Sequence, residues 1–218
     1  MTTRTFADMV PRLASSVPGC PNPVIEYAIR DAAIEVCERT TAWRYQQADV
    51  TLTAGTFAYA FVPPDSNSEV HSIFTSTINN SPIKSITIEQ AHRLYPAYPS
   101  TDAADRATPR YLIYVAADKF QVVPVPNSSP TYKIKMHVAL KPLRTATGMD
   151  KGVMDDLEDV IMHSALQHLL ILPERTWSDR ELAAYHAKQY AFKSAERRAR
   201  ANVGPGRAVQ TAVGSFFA

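Results

Sequence analysis

Apolar positions recur at helical spacing early in the chain. Ile25, Ile29, Ala32, Ala33, Val36, Cys37 and Thr40 fall on one face and lead toward Trp43, while Glu26, Arg30, Asp31, Glu35 and Arg39 take the other. Asn22 as N-cap and Pro23 as first helical residue place the start, so a helix is expected over about 23–41. The period then shortens to two. YQQADVTLT and TFAYAFVP flank Ala54-Gly55 as a first hairpin, EVHSIFTSTI and PIKSITI flank Asn79-Asn80-Ser81 as a second, and RYLIYVA and FQVVPV flank Ala117-Asp118-Lys119 as a third. Between the last two, Thr87 and Gln90 form a capping-box pattern for a short helix that Pro96 limits. In TYKIKMHVAL, Tyr132, Ile134, Met136 and Val138 share one face of a strand, and Lys133, Lys135 and His137 the other.

After Pro142 the helical period returns. One helix is expected over 155–172, ending at Pro173. A second is expected over about 179–203, with Ser178 as N-cap, Glu181 at the box position, and Gly204-Pro205 as its stop. Helix, strands, then two helices predict an α+β fold: a helical bundle (residues 1–44 and 145–203), an inserted antiparallel β module (45–144) and an extended C-terminal tail (204–218).

Composition narrows the function. The chain of 218 residues can bury a core of ordinary size, and its net charge of +2 is too small for general affinity for nucleic acid. No apolar run approaches the roughly 18 residues of a membrane helix, and MTTRTFADMVPRLASS lacks the apolar core of a secretory signal. A soluble, cytosolically made protein is the expectation. Cys37 would sit about 21 Å along the first helix at 1.5 Å per residue. Bridged Cα atoms stand only about 4.4–6.8 Å apart, so Cys20 and Cys37 are expected to be reduced.

Candidate chemistry is sparse. Asp155, Asp159 and His163 at i, i+4, i+8 could offer metal ligands. The plainer account is that Asp155, Asp156, Glu158 and Asp159 crowd a helix start, where the macrodipole favours negative charge. His163, His168 and His186 have no assignable nucleophile beside them, and phosphate-cradle and nucleophile-elbow motifs are missing. No catalytic residue, metal or cofactor is therefore assigned.

Charge is unevenly spread. Residues 150–159 hold five acidic and one basic residue, a local −4, whereas residues 179–207 hold seven basic and three acidic, a local +4. The basic end (Lys188, Lys193, Arg197, Arg198, Arg200, Arg207) complements a helix C-terminus. It also fits nucleic-acid contact, or pairing with the acidic segment (Asp155, Asp156, Asp159) of a neighbouring copy. The tail places Val209, Val213, Phe216 and Phe217 behind a Gly-Pro-Gly linker, where they would fold back on the chain or fill a groove on a partner.

The first helix carries more than packing. Its pattern P-x-P-x-I-x-x-A-I-R-D-A-A-I-E-x-C-E-R-T-x-x-W-R, at Pro21 to Arg44, resembles the head-to-tail adaptor proteins of short-tailed bacteriophages, the group of tail tubular protein A. L-Y-P at Leu94 to Pro96, P-R-Y-L-I-Y at Pro109 to Tyr114 and V-V-P-V-P at Val122 to Pro126 extend the resemblance over most of the chain. It implies a structural, non-enzymatic virion protein of the neck, made in the host bacterial cytoplasm. Twelve copies would form a ring beneath the portal protein and carry the tail nozzle and fibres, with DNA passing through the lumen unread. On that reading Arg207, Val209, Val213, Phe216 and Phe217 dock on the portal, and Asp155, Asp156, Asp159, Lys193, Arg197, Arg198 and Arg200 line the subunit interface. The alternatives are a nucleic-acid-binding module using the basic helix end, or another neck or head-completion component.

Overall fold

A computed structural model describes residues 2–128 and 131–203. Along the chain come β1 (Thr3–Thr5), a 3-10 turn (Phe6–Met9), α1 (Val10–Ala14) and α2 (Asn22–Thr40). Then follow β2 (Arg44–Gln46), β3 (Val50–Leu52), β4 (Ala58–Ala60), β5 (Ser68–Ile78), β6 (Ser81–Ser85) and α3 (Ile88–Leu94). The remainder is β7 (Tyr111–Ala116), β8 (Lys119–Val123), β9 (Tyr132–Pro142), β10 (Gly148–Asp150), α4 (Lys151–Leu170) and α5 (Arg180–Val203). The described residues form two compact units: Trp43–Met149, and Thr2–Ala42 with residues 150–203.

The expected helical bundle with an inserted antiparallel module is overturned. The protein is a mixed α/β chain dominated by one eight-stranded sheet, ordered β2-β9-β5-β6-β7-β8-β4, with β3 also on β9. Its two 11-residue strands explain the size. β9 is long enough to hold β5 along one edge and, on the other, both β2 (Tyr45 opposite Val138) and β3 (Thr51 opposite Lys133). β5 follows β9 through two register shifts, between Val70 and Ser72 and between Ile73 and Thr75. Nor is the sheet purely antiparallel, because β6 and β7 run parallel. Parallel neighbours need a crossover, and α3 lies in it. The Thr87–Gln90 box forms as expected: Thr87 Oγ1 accepts from the Gln90 N–H at 3.3 Å, and Gln90 Oε1 from the Thr87 N–H at 3.2 Å.

Of the three expected hairpins, two form. Asn79 and Asn80 turn β5 into β6 with φ of 46° and 66°, a conformation asparagine tolerates better than most residues. β7 and β8 pair as expected across Ala117-Asp118. The first does not form. Gly55 takes φ 77° in a turn, but β3 pairs with β9 and β4 with β8, so the flanking strands find longer partners than each other. The alternation in β9 holds, with Tyr132, Ile134, Met136 and Val138 buried. Ala91, Tyr98, Ile113, Val123 and Val125 form a buried cluster beside α3.

In the helical unit, every residue expected on the apolar face of α2 is buried, and Thr41 closes the helix in the left-handed region at φ 51°. Pro21 stands at the N-cap position rather than Asn22, which is already helical. Phe6, Met9, Leu13 and Val17 are also buried, so the N-terminal segment is part of the core. α4 begins four residues before the expected start, capped by Asp150, whose carboxylate accepts from the Val153 N–H at 3.1 Å. That moves Asp155 and Asp156 out of the first turn and removes the dipole account of their clustering. Asp179, not Ser178, caps α5 by accepting from the Leu182 N–H at 2.9 Å. Cys20 and Cys37 are both free.

Candidate functional site

α4 packs on α2 and on α5, so the apolar residues that ring its end are used inside the unit: Leu166, Leu169 and Leu170 are buried. One carboxylate ties the three helices together. Glu35 on α2 accepts from the Ser164 hydroxyl of α4 at 3.0 Å and from the Tyr190 hydroxyl of α5 at 2.9 Å. His168 Nε2 stands 3.6 Å from the same carboxylate. Burial and the Glu35 charge push the Tyr190 hydroxyl up to about 12, keeping it a donor throughout the neutral range. The Arg39 guanidinium lies 5.0 Å over the Tyr190 ring.

The acidic segment is held by the N-terminus. Arg4 reaches Asp155 at 2.7 Å and Glu158 at 2.9 Å, and Arg12 also pairs with Glu158. Glu158 is the most shielded of these acids, and spacing alone assigns it no role beyond its charge. The real partners of the cluster are two arginines about 150 residues away in sequence, a separation that offers no local signal. Asp159 pairs with Lys193 of α5 at 3.3 Å, and Arg200 with Glu196 at 2.6 Å. Of the residues expected at a subunit interface, Asp155, Asp159, Lys193 and Arg200 thus have partners in their own chain. Asp156 and Arg198 are exposed.

His163 does not gather Asp155 and Asp159 into a ligand set. Its Nδ1 faces Nδ1 of His186 at 2.8 Å, and the described residues contain no group of three or more histidine, cysteine or acidic side chains placed to hold a metal ion. Burial first, then the nearby Lys193 charge, holds His163 below the ordinary histidine range, and burial does the same to His186.

Where α4 ends and α5 begins, the surface turns apolar. Ile171 is 60% exposed, and a groove of about 620 Å³ beside it mixes apolar and polar walls: Ile171, Pro173, Ala183, Ala184 and Ala187 with Gln167, His168 and Arg180. Along the outer side of α5, Leu182, Tyr185 and Phe192 project at helical spacing, Phe192 with 72% of its surface exposed. The expected portal-docking residues Arg207, Val209, Val213, Phe216 and Phe217 lie outside the described residues.

The family model described as SU10 adaptor protein matches residues 1–210, spanning both units. The chain belongs to the SU10 adaptor protein family. No curated protein matches it. As a phage adaptor it is a structural component that works by contact with other virion proteins. Among the described residues, no helix is long and apolar enough to cross a membrane.

Proposed function

We propose that this adaptor joins the portal to the tail as a closed ring of twelve copies, in the manner of tail tubular protein A, carrying the nozzle and fibres and forming part of the DNA channel. The family match over residues 1–210 carries the reading. The segregation of charge along the chain supports it, because a closed ring needs one face of a subunit to fit a different face of the next. Asp155, Asp156 and Asp159 would meet Lys193, Arg197, Arg198 and Arg200 of the neighbour. The in-chain partners of Asp155 and Asp159 shift the weight of that contact toward Asp156, Arg197 and Arg198. The helical part (residues 1–44 and 145–203) would contact neighbours and portal, the β-rich part (45–144) the tail side. The segment 204–218 would enter the portal through Arg207, Val209, Val213, Phe216 and Phe217.

The test is the mass of the purified protein by light scattering, alone and mixed with its portal. A ring that forms on the portal supports the reading, and indifference to the portal sinks it. Deleting residues 204–218 should abolish attachment and leave the subunit folded. A nucleic-acid-binding module would instead show DNA affinity that falls steeply with salt, with a slope of about −0.9 per phosphate contacted.

A further inference from the structure

α4 and α5 meet at a pair of histidines that the adaptor reading leaves unused. Nδ1 of His163 and Nδ1 of His186 stand 2.8 Å apart, one from each helix. His186 is buried at the seam and His163 is half-buried, so the pair keeps an opening to solvent. Burial holds both rings below the ordinary histidine range, with the Lys193 charge adding to the effect at His163. At neutral pH each ring therefore has one unprotonated nitrogen, the form that binds metal ions.

We infer that His163 and His186 form a two-nitrogen clamp for a divalent transition cation of the zinc or nickel class, with water completing its coordination. The spacing fits. Metal–nitrogen bonds of about 2.0–2.1 Å set two ligating nitrogens roughly 2.9–3.4 Å apart, depending on the angle between the bonds. The rings need to part by only a few tenths of an ångström. The ion replaces the hydrogen held between them, which moves to Nε2 of the ring that donated it, and no net proton is released. Imidazole suits zinc, copper and nickel, whereas magnesium and calcium require oxygen donors. Two protein ligands make an exchangeable site rather than a closed structural one.

The surroundings set its strength. Lys193 on α5 opposes a cation here, and Asp159 on α4 favours one. Asp159 precedes His163 by one helical turn and pairs with Lys193 at 3.3 Å. An exposed pair of that kind is worth little, so the carboxylate can turn toward a bound ion. An ion held by both helices binds the folded unit and not the unfolded chain, and so braces α4 against α5.

The clamp does not depend on the ring or the portal, and neither is needed to test it. The full-length chain, stripped with a chelator, is titrated calorimetrically with Zn²⁺ at neutral pH, with Mg²⁺ as the control. The expected result is a site of micromolar affinity for Zn²⁺ and no heat with Mg²⁺. His163→Gln and His186→Gln should each weaken Zn²⁺ binding at least tenfold. His137→Gln, on the exposed side of β9, should leave it unchanged. Saturating Zn²⁺ should raise the urea midpoint of the wild-type chain and not that of the two seam variants. Lys193→Gln removes a repelling charge and should tighten binding severalfold, which keeps the test decisive if a seam variant folds poorly. Three results would overturn the clamp: no binding up to millimolar Zn²⁺, wild-type affinity in both seam variants, or unchanged or weaker binding in Lys193→Gln.

Discussion

Nδ1 of His163 on α4 stands 2.8 Å from Nδ1 of His186 on α5. Such a contact requires one ring to donate and the other to accept, so at least one imidazole is neutral. The groups around the pair add to this. Lys193 on α5 lies near His163 and disfavours its protonation, Asp159 on α4 favours it weakly, and the Tyr185 ring packs edge-on to His186. Both histidines are held below their ordinary range, chiefly by burial.

The pH dependence follows from that direction. An unfolded chain takes up these protons near the usual histidine value of about 6.5, whereas the folded unit takes them up only at lower pH. The stability contributed by the neutral pair is therefore complete above about pH 6.5 and is lost as pH falls below it. Thermal unfolding should show a flat Tm from about pH 7 to 8 and a fall of several degrees by about pH 5.5. His186→Gln should flatten that fall. An identical acid slope in the variant would show that other groups govern it.

Glu35 supplies a second measurable contribution. Glu35→Ala leaves the Ser164 and Tyr190 hydroxyls inside the helix layer without their acceptor, a cost of about 1–3 kcal/mol. Tyr190→Phe removes only one of the two bonds, for about 1 kcal/mol, because Glu35 keeps Ser164 and some access to water. Urea unfolding should rank the proteins wild type, Tyr190→Phe, Glu35→Ala in falling midpoint. Equal midpoints for the two variants would mean that the tyrosine alone carries the tie.

The N-terminal segment is fastened by Arg4. Its guanidinium bridges Asp155 and Glu158 with charge-assisted bonds, while Phe6, Met9 and Leu13 beneath it are buried. Arg4→Ala should destabilise the helical unit by about 1–2 kcal/mol at low salt and less at high salt, because the acids lose their partner. Hydrogen exchange should rise in residues 2–16 before it rises in α2. Uniform exchange across the unit would show that apolar packing alone holds the segment.

How much of this was legible depended on whether the cause was local. The apolar face of α2, the alternation in β9, the Thr87–Gln90 box and the Asn79-Asn80 turn all follow from residues within a few positions of one another, and each appears where the pattern places it. The sheet does not follow from the pattern, because strand pairing is non-local. Nothing in YQQADVTLT announces that β3 prefers the far half of β9 to its neighbour across Gly55. The start of α4 is hidden by the acidic run, in which Asp150 is the cap and the later acids are not. For the candidate site, the basic and acidic segments were visible in sequence, but their satisfaction by Arg4, Arg12 and each other was not. Pairs such as Arg4–Glu158 and Glu35–Tyr190 span about 150 residues and leave no spacing to read.

The ring reading makes a prediction that a charge exchange can decide. Asp156 and Arg198 are exposed on the acidic and basic segments, which makes them the residues on which to test contact between neighbouring copies. Asp156→Lys puts a positive charge opposite a basic face and should weaken assembly on the portal by tenfold or more. Arg198→Glu should do the same with the opposite sign, because like charges in an interface are costly. The double variant restores opposite charges and should recover most of the loss. Light scattering of each protein with portal gives the result directly. Two impaired single variants and an equally impaired double variant would remove Asp156 and Arg198 from the interface and leave the apolar border of α5 as the surface to test.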